Sequence, residues 1–340
     1  MKIRVWLLTI LSFISVTANT YAGGKAPPKP KIEKHNRVER VSPFGEIIVA
    51  KESLPDAVFE ARRRLVQLYV VLYESGKTDT PLVVSAGTAF CVKPGYLLSS
   101  AHVLQEPIIQ LIEKFQSSNS IQPTSPAAVQ SFFPDHSTPD GDFRILLNDI
   151  RQKKTFGELM ELLKVANGGK AIEYKIMARI PLRSTSLMVP LNLKAITPPD
   201  SAKDLMLMSV QDTIAMVQQS TNSPEALEIL NPYSVFTVPF DIVDSAELGE
   251  TVYPSGFGGF GVPFVFEALI IGNPSITDGT QMNGMQKPYL LLGPAEFGFS
   301  GGPTLTAEGK VLGVSKAKTD NMLLVVSKKD IQDFLKAAKI

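Results

Sequence analysis

From Val66 onward the chain alternates short apolar segments with clusters of turn residues. Val66–Tyr73, Leu82–Val92 and Tyr96–Ser100 are rich in Val, Leu, Phe and Tyr, and the gaps between them hold Gly76, Lys77, Thr78 and Asp79 or Pro94 and Gly95. Such spacing predicts hairpins of an antiparallel sheet. Residues 105–170 break the pattern: Ile108–Phe115 and Phe156–Val165 carry apolar side chains at helical spacing around a polar middle, which predicts a helical insertion. Strand-like segments resume at Ala171–Arg179, Ser186–Ile196, Leu205–Val210, Ser234–Val238, Glu250–Pro254, Val265–Ile271, Tyr289–Leu292, Lys310–Val314 and Met322–Val326. An amphipathic helix, residues 328–339, closes the chain. Many short strands separated by turns predict barrels or a sandwich rather than a wound α/β sheet.

The first 22 residues read differently. Lys2 and Arg4 precede an apolar run from Val5 to Val16, and Thr20 and Ala22 suit a cleavage site, so residues 1–22 are expected to be a secretory signal peptide. Residues 23–64 then form a Lys- and Pro-rich leader ending in a short helix over 54–64, with Ser53 as its N-cap and Pro55 in its first turn. No later apolar run reaches spanning length, so the expected product is exported, periplasmic or secreted, without stable membrane insertion after cleavage.

Charge and cysteine content narrow the function. The 340 residues hold 34 basic and 33 acidic side chains, a net charge of +1, and loss of the leading segment leaves 32 against 33. A nucleic-acid partner is not expected from so balanced a chain. The single cysteine, Cys91, excludes an intrachain disulfide, and no metal-ligand spacing is present, so neither metal nor cofactor is expected. Cys91 itself, inside a strand pattern, reads as a buried apolar side chain rather than a reactive thiol.

Two segments nearly 200 residues apart carry the chemistry. One runs Gly87-Thr88-Ala89-Phe90 through Ser99-Ser100-Ala101-His102-Val103; the other is Gly298-Phe299-Ser300-Gly301-Gly302-Pro303, followed by Gly309 to Val314. Together they resemble the trypsin-like (chymotrypsin-fold) serine proteases, particularly the bacterial HtrA-like and glutamyl-endopeptidase-like branches that lack disulfides, here without an appended PDZ domain. The resemblance implies two antiparallel β-barrels over residues 65–340, the first at 66–210 with the insertion 105–170, the second at 213–326. It implies a serine endopeptidase acting on polypeptide substrates, with His102 as general base and Ser300 as nucleophile.

Elementary chemistry agrees with those roles. A serine hydroxyl is a poor nucleophile unless a base takes its proton, and imidazole titrates in the right range. Glycines flanking Ser300 permit close backbone approach, so the N–H groups of Gly298 and Ser300 are expected to form the oxyanion hole. The third member must be a carboxylate that orients His102. Asp204, which opens Leu205-Met206-Leu207-Met208, is similar to the family's Asp-Leu-Ala-Leu-Leu segment; Asp142 and Asp200 are the rivals.

By the same resemblance, Pro294, Glu296, Ser315, Lys316 and Lys318 map to the walls of the substrate pocket. Glu296 would favour a basic residue there and Lys316 or Lys318 an acidic one. Phe299 occupies the position where digestive members carry an aspartate, so activation through a salt bridge to a new N-terminus is not expected. The Gly-rich run 256–261 reads as a loop beside the cleft, and the insertion as a lid or exosite or else a peripheral ornament, separable from the barrels in either case. The competing function is a catalytically silent binding or scaffold protein on the same fold.

Overall fold

A computed structural model describes residues 54–77, 80–119, 155–181, 186–199, 201–210, 234–244, 246–257, 263–272, 285–293, 299–319 and 322–340. The first element is a helix, α1 (Asp56–Arg62), whose Pro55 stands at the N-cap; Ser53 lies outside the described residues. Six strands follow: β1 (Val66–Glu74), β2 (Val83–Lys93), β3 (Tyr96–Ser100), β4 (Ile172–Pro181), β5 (Ser186–Ile196) and β6 (Leu205–Ser209). They pair in the order β1-β2-β3-β6-β5-β4, and the β1–β4 pairing closes them into an antiparallel barrel.

The second set is β7 (Thr251–Phe257), β8 (Pro263–Val265), β9 (Ala268–Gly272), β10 (Tyr289–Leu292), β11 (Pro303–Leu305), β12 (Val311–Thr319) and β13 (Met322–Ser327). Its order is β11-β12-β13-β10-β9-β7, with a β11–β7 pairing that closes the ring and β8 added to β7. Closure leaves no exposed edges among the ring strands, the usual hazard of an open antiparallel sheet.

The two barrels share a core. Phe90, Leu98, Leu205 and Leu207 of the first barrel cluster with Tyr253, Phe257, Leu305 and Val326 of the second. Alternate residues of the same strands, Ala89, Cys91, Leu97, Met206 and Met208, belong to a different cluster within the first barrel. Both faces of β6 are therefore covered, and all five of its residues are buried. That is why Leu205–Met208 is an unbroken apolar run instead of an alternation.

The insertion contributes two helices, α2 (His102–Asn119) and α3 (Phe156–Ala166); residues 120–154 lie outside the described set. Thr155 caps α3 as the sequence Thr-x-x-Glu suggests: Glu158 N–H donates to Thr155 Oγ1 at 3.2 Å, and Thr155 N–H to Glu158 Oε2 at 3.3 Å. Leu104, Ile108, Leu111, Ile112, Leu159 and Leu163 are fully or almost fully buried in the same cluster as Leu68, Val70 and Leu72 of β1. The helical spacing was legible, but the insertion is not separable, because its apolar faces complete the core of the first barrel.

Other assignments also change. The predicted strand Ser234–Val238 is a short helix, α4 (Ser234–Thr237). Gly95 N–H and Cys91 Sγ both donate to the Phe236 carbonyl, docking it on the β2–β3 hairpin. The segment Val265–Ile271 divides between β8 and β9, and Gly256 and Phe257 belong to β7 rather than a loop; residues 258–261 are not described. The last helix, α5 (Lys328–Ala337), packs Ile331 and Phe334 into the shared core. Among the described residues no helix is long and apolar enough to cross a membrane.

Candidate active site

His102 is the first residue of α2, directly after β3, and Asp204 immediately precedes β6, the neighbour of β3 in the barrel. Strand pairing therefore brings the two together across 102 residues of sequence. The Asp204 carboxylate accepts twice: from the backbone N–H of His102 at 2.8 Å through Oδ1, and from His102 Nδ1 at 2.6 Å through Oδ2. An ionised carboxylate only accepts, so Nδ1 carries the hydrogen and Nε2 is left as the basic nitrogen.

Asp204 reaches this pose through a left-handed backbone, φ +49°. An aspartate tolerates that conformation better than most residues, at a cost of about 1 kcal/mol. The Asp204 carbonyl meanwhile accepts from Ala101 N–H at 3.1 Å, so backbone and side chain both grip the Ala101–His102 junction. The carboxylate is buried, and the imidazole keeps 28% of its side-chain surface exposed. Burial disfavours the charged ring, but the Asp204 carboxylate, assisted by Glu106, outweighs it and holds the His102 pKa above its ordinary value; Lys316 acts in the opposite sense.

Ser300 lies in a tight turn between Phe299 and β11. Gly302 N–H donates to the Phe299 carbonyl at 2.8 Å, while Gly301 N–H and Ser315 N–H tie the turn to β12 at 3.0 and 2.9 Å. The Ser300 carbonyl accepts from Thr88 N–H of β2 at 2.9 Å. The two motif segments thus meet. A Cβ at Gly87 would lie 2.7 Å from Val103 and 3.2 Å from the Ser300 carbonyl oxygen, so glycine is what lets the His102 and Ser300 segments close on one another.

The glycines after Ser300 are equally constrained. Gly301 has φ +82°, and a Cβ there would press on Ser99 Oγ, on the Thr88 carbonyl at 2.5 Å and on Ser100 N at 2.6 Å. A Cβ at Gly302 would collide with the Ser255 carbonyl. Phe299, at the position where digestive members carry an ion-pairing aspartate, is almost wholly buried against Phe266 with ring centroids 5.3 Å apart. The turn is anchored by packing rather than by charge.

The remaining site candidates separate. Ser315 is buried; its carbonyl accepts from Gly301 N–H and Ser100 Oγ, and its hydroxyl meets Thr304 Oγ1 at 3.3 Å. Lys316 is the extra residue of a bulge in the β12–β13 pairing, and its Nζ donates to the Ala202 carbonyl at 2.5 Å, turned toward the first barrel. The backbone of Lys318 lies in β12. Gly298, Pro294 and Glu296, like the rival carboxylates Asp142 and Asp200, lie outside the described residues. Cys91 is fully buried, and burial pushes its thiol up to about 11, as suits an inert side chain.

Several supporting residues were not singled out in the sequence. Ser99 Oγ donates to the Thr88 carbonyl at 2.7 Å, and Thr88 Oγ1 accepts from Phe257 N–H at 2.8 Å, a polar seam between the barrels. Gln105, at the start of the predicted insertion, is a brace for the site: its Nε2 donates to the Thr197 carbonyl at 2.8 Å, and Thr197 Oγ1 accepts from Leu205 N–H. Small hydroxyl residues beside His102 were the one available signal for the seam.

No protein-family model and no curated protein matches the sequence. Similar crystal structures include the active form of the Rv3671c protease from M. tuberculosis, at 14% identity over 83% of each chain and a TM-score of 0.43. Others are Deg5, at 11% identity over 82% of this chain and 90% of the other with a TM-score of 0.43, and the serine endoprotease from Yersinia pestis, at 11% over 84% and 66% with 0.45. The strand topology carries the assignment: this is a chymotrypsin-like double barrel, the architecture of the trypsin-like serine proteases that the two motif segments resemble.

Proposed function

We propose that the protein is an exported serine endopeptidase that hydrolyses peptide bonds through a Ser-His-Asp acyl-enzyme mechanism. The observation that carries the proposal is the doubly bonded His102–Asp204 pair, in a strained backbone, beside a glycine turn that presents Ser300 at the junction of two barrels. Asp204 fixes the tautomer, His102 Nε2 takes the Ser300 proton as Oγ attacks the scissile carbonyl, and the imidazolium returns it to the leaving amine. The N–H groups of Gly298 and Ser300 serve as the oxyanion hole, a contribution of about 3 kcal/mol per donor in comparable sites. Polypeptides are the substrates, and export follows from the signal-like segment 1–22, with a mature start near Gly23.

Hydrolysis of an unfolded protein substrate by the purified mature chain tests the proposal. Turnover that disappears in Ser300→Ala is the expected result. A wild type that binds polypeptide with no turnover would favour the silent scaffold instead.

A further inference from the structure

Asp204 is held in an unfavourable backbone conformation, and such a residue persists only where its surroundings over-determine it. Part of that support comes from far along the chain. Lys203, its immediate neighbour, sends Nζ to within 3.2 Å of Asp330 Oδ1 in the first turn of α5. The Asp330 side chain has no exposed surface, and Lys203 keeps 28%. The other carboxylate oxygen, Oδ2, accepts from Gln286 N–H at 2.7 Å, whereas Oδ1 has no aligned hydrogen-bond donor among the described residues and lies against the Lys203 ammonium. A buried carboxylate with one amide partner needs a cation, and the cation supplied is on the residue preceding Asp204. The same turn is tied a second time, through Lys316 Nζ on the Ala202 carbonyl.

Resting on the serine-peptidase reading of the site, we propose that α5 holds the Ser201–Asp204 turn through the Lys203–Asp330 pair, so that Lys203 and Asp330 are positioning residues for Asp204. The closing helix is thereby part of the catalytic apparatus as well as of the core. Removing the pair lets the turn relax toward an ordinary backbone conformation and withdraws the carboxylate from His102 Nδ1. The groups that face the imidazole directly, Asp204, Glu106 and Lys316, keep their own side chains in that change, so a shift in His102 reports their placement. Asp333, which also faces Lys203, is engaged by Lys329 at 2.6 Å and by Gln286 Nε2 at 3.0 Å.

The test is NMR titration of the His102 imidazole, its signal assigned by its loss in His102→Gln, alongside kcat and KM. The informative variant is Lys203→Met/Asp330→Asn. It removes one positive and one negative charge, and the asparagine amide keeps an oxygen for Gln286 N–H. It also strands no buried ion, which matters if Lys203→Met alone fails to fold. In the folded double variant the His102 pKa is expected to fall toward the ordinary imidazole value. kcat drops by about 10- to 100-fold, the range for a misplaced catalytic group, with KM little changed. Lys203→Arg, which keeps the cation, restores both. A cooperatively melting double variant whose His102 titrates as in the wild type would overturn the proposal, whatever its turnover. A wild type without turnover, but with the expected titration shift, would sink the peptidase reading and leave the positioning role standing.

Discussion

Through the His102–Asp204 pair, stability and catalysis set opposite demands on pH. The folded-state pKa of His102 lies above its unfolded value because the carboxylate favours the imidazolium. The pair's contribution to stability is therefore fully present below the unfolded pKa and lost as pH rises through the folded one. In the proposed mechanism catalysis needs the neutral base, so activity is expected to rise over the range in which that stabilisation fades. The acid limb of kcat/KM is expected above the ordinary imidazole pKa of about 6.5. In Asp204→Asn this limb should move down while kcat falls by about 10⁴-fold, the loss seen when comparable triads lose their carboxylate. Steady-state profiles of both proteins decide the matter, and an unchanged limb would remove Asp204 from the site.

Two glycines separate conformational strain from collision. Gly76 and Gly301 both have φ +82°, but a Cβ at Gly76 meets nothing within 4 Å, whereas at Gly301 it meets the backbone of Thr88 and Ser100. Gly76→Ala should cost only the left-handed penalty of about 1 kcal/mol, and Gly301→Ala should cost several times that or prevent folding. Thermal melts measure the difference. Equal losses would mean that the Ser300 turn is not packed against β2 as described.

Among the elements, apolar segments bounded by turn residues were legible in the sequence and those too short to show a period were not. Tyr96–Ser100, Ser186–Ile196 and Tyr289–Leu292 were placed to the residue. β11 was not foreseen, because its three residues are all buried and too few to show a period. The start of α2 at His102 was also missed. Ala101-His102-Val103 carries no helix signal, and the carboxylate accepting the His102 N–H comes from a residue 102 positions away. The insertion's helices were recognised, but their integration into the barrel was not, since spacing reveals an apolar face and not what it covers. Replacing residues 110–165 by a flexible linker is accordingly expected to unfold the first barrel, because Leu111, Ile112, Leu159 and Leu163 would leave its core. Even Leu163→Ala alone should cost about 2–5 kcal/mol by denaturant titration. A deletion variant with wild-type stability would restore the separable lid.

At the scale of the whole molecule, the site is a product of how two barrels meet. The two motif segments stand out in the local sequence around Ser300 and His102, and the structure brings them together. The seam that joins them does not stand out, since Thr88 and Ser99 are ordinary strand residues until the barrels close. Thr88 shows the dependence: its N–H holds the Ser300 carbonyl, its carbonyl accepts from Ser99, and its hydroxyl holds β7. Thr88→Val keeps the shape and orphans the buried Phe257 N–H, so a loss of about 1–3 kcal/mol in a thermal melt is expected. A melt unchanged from wild type would show that the seam contributes nothing.

Labelling of the purified chain by a fluorophosphonate probe, with the modified residue located by mass spectrometry, is the most direct test of the central claim. An activated serine attacks such a probe only when its base and oxyanion donors are assembled around it. The expected result is one probe per chain, attached at Ser300, and none in Ser300→Ala. A folded wild type that takes up no probe, or that carries it at another residue, would contradict the assignment of Ser300, His102 and Asp204 as a working triad.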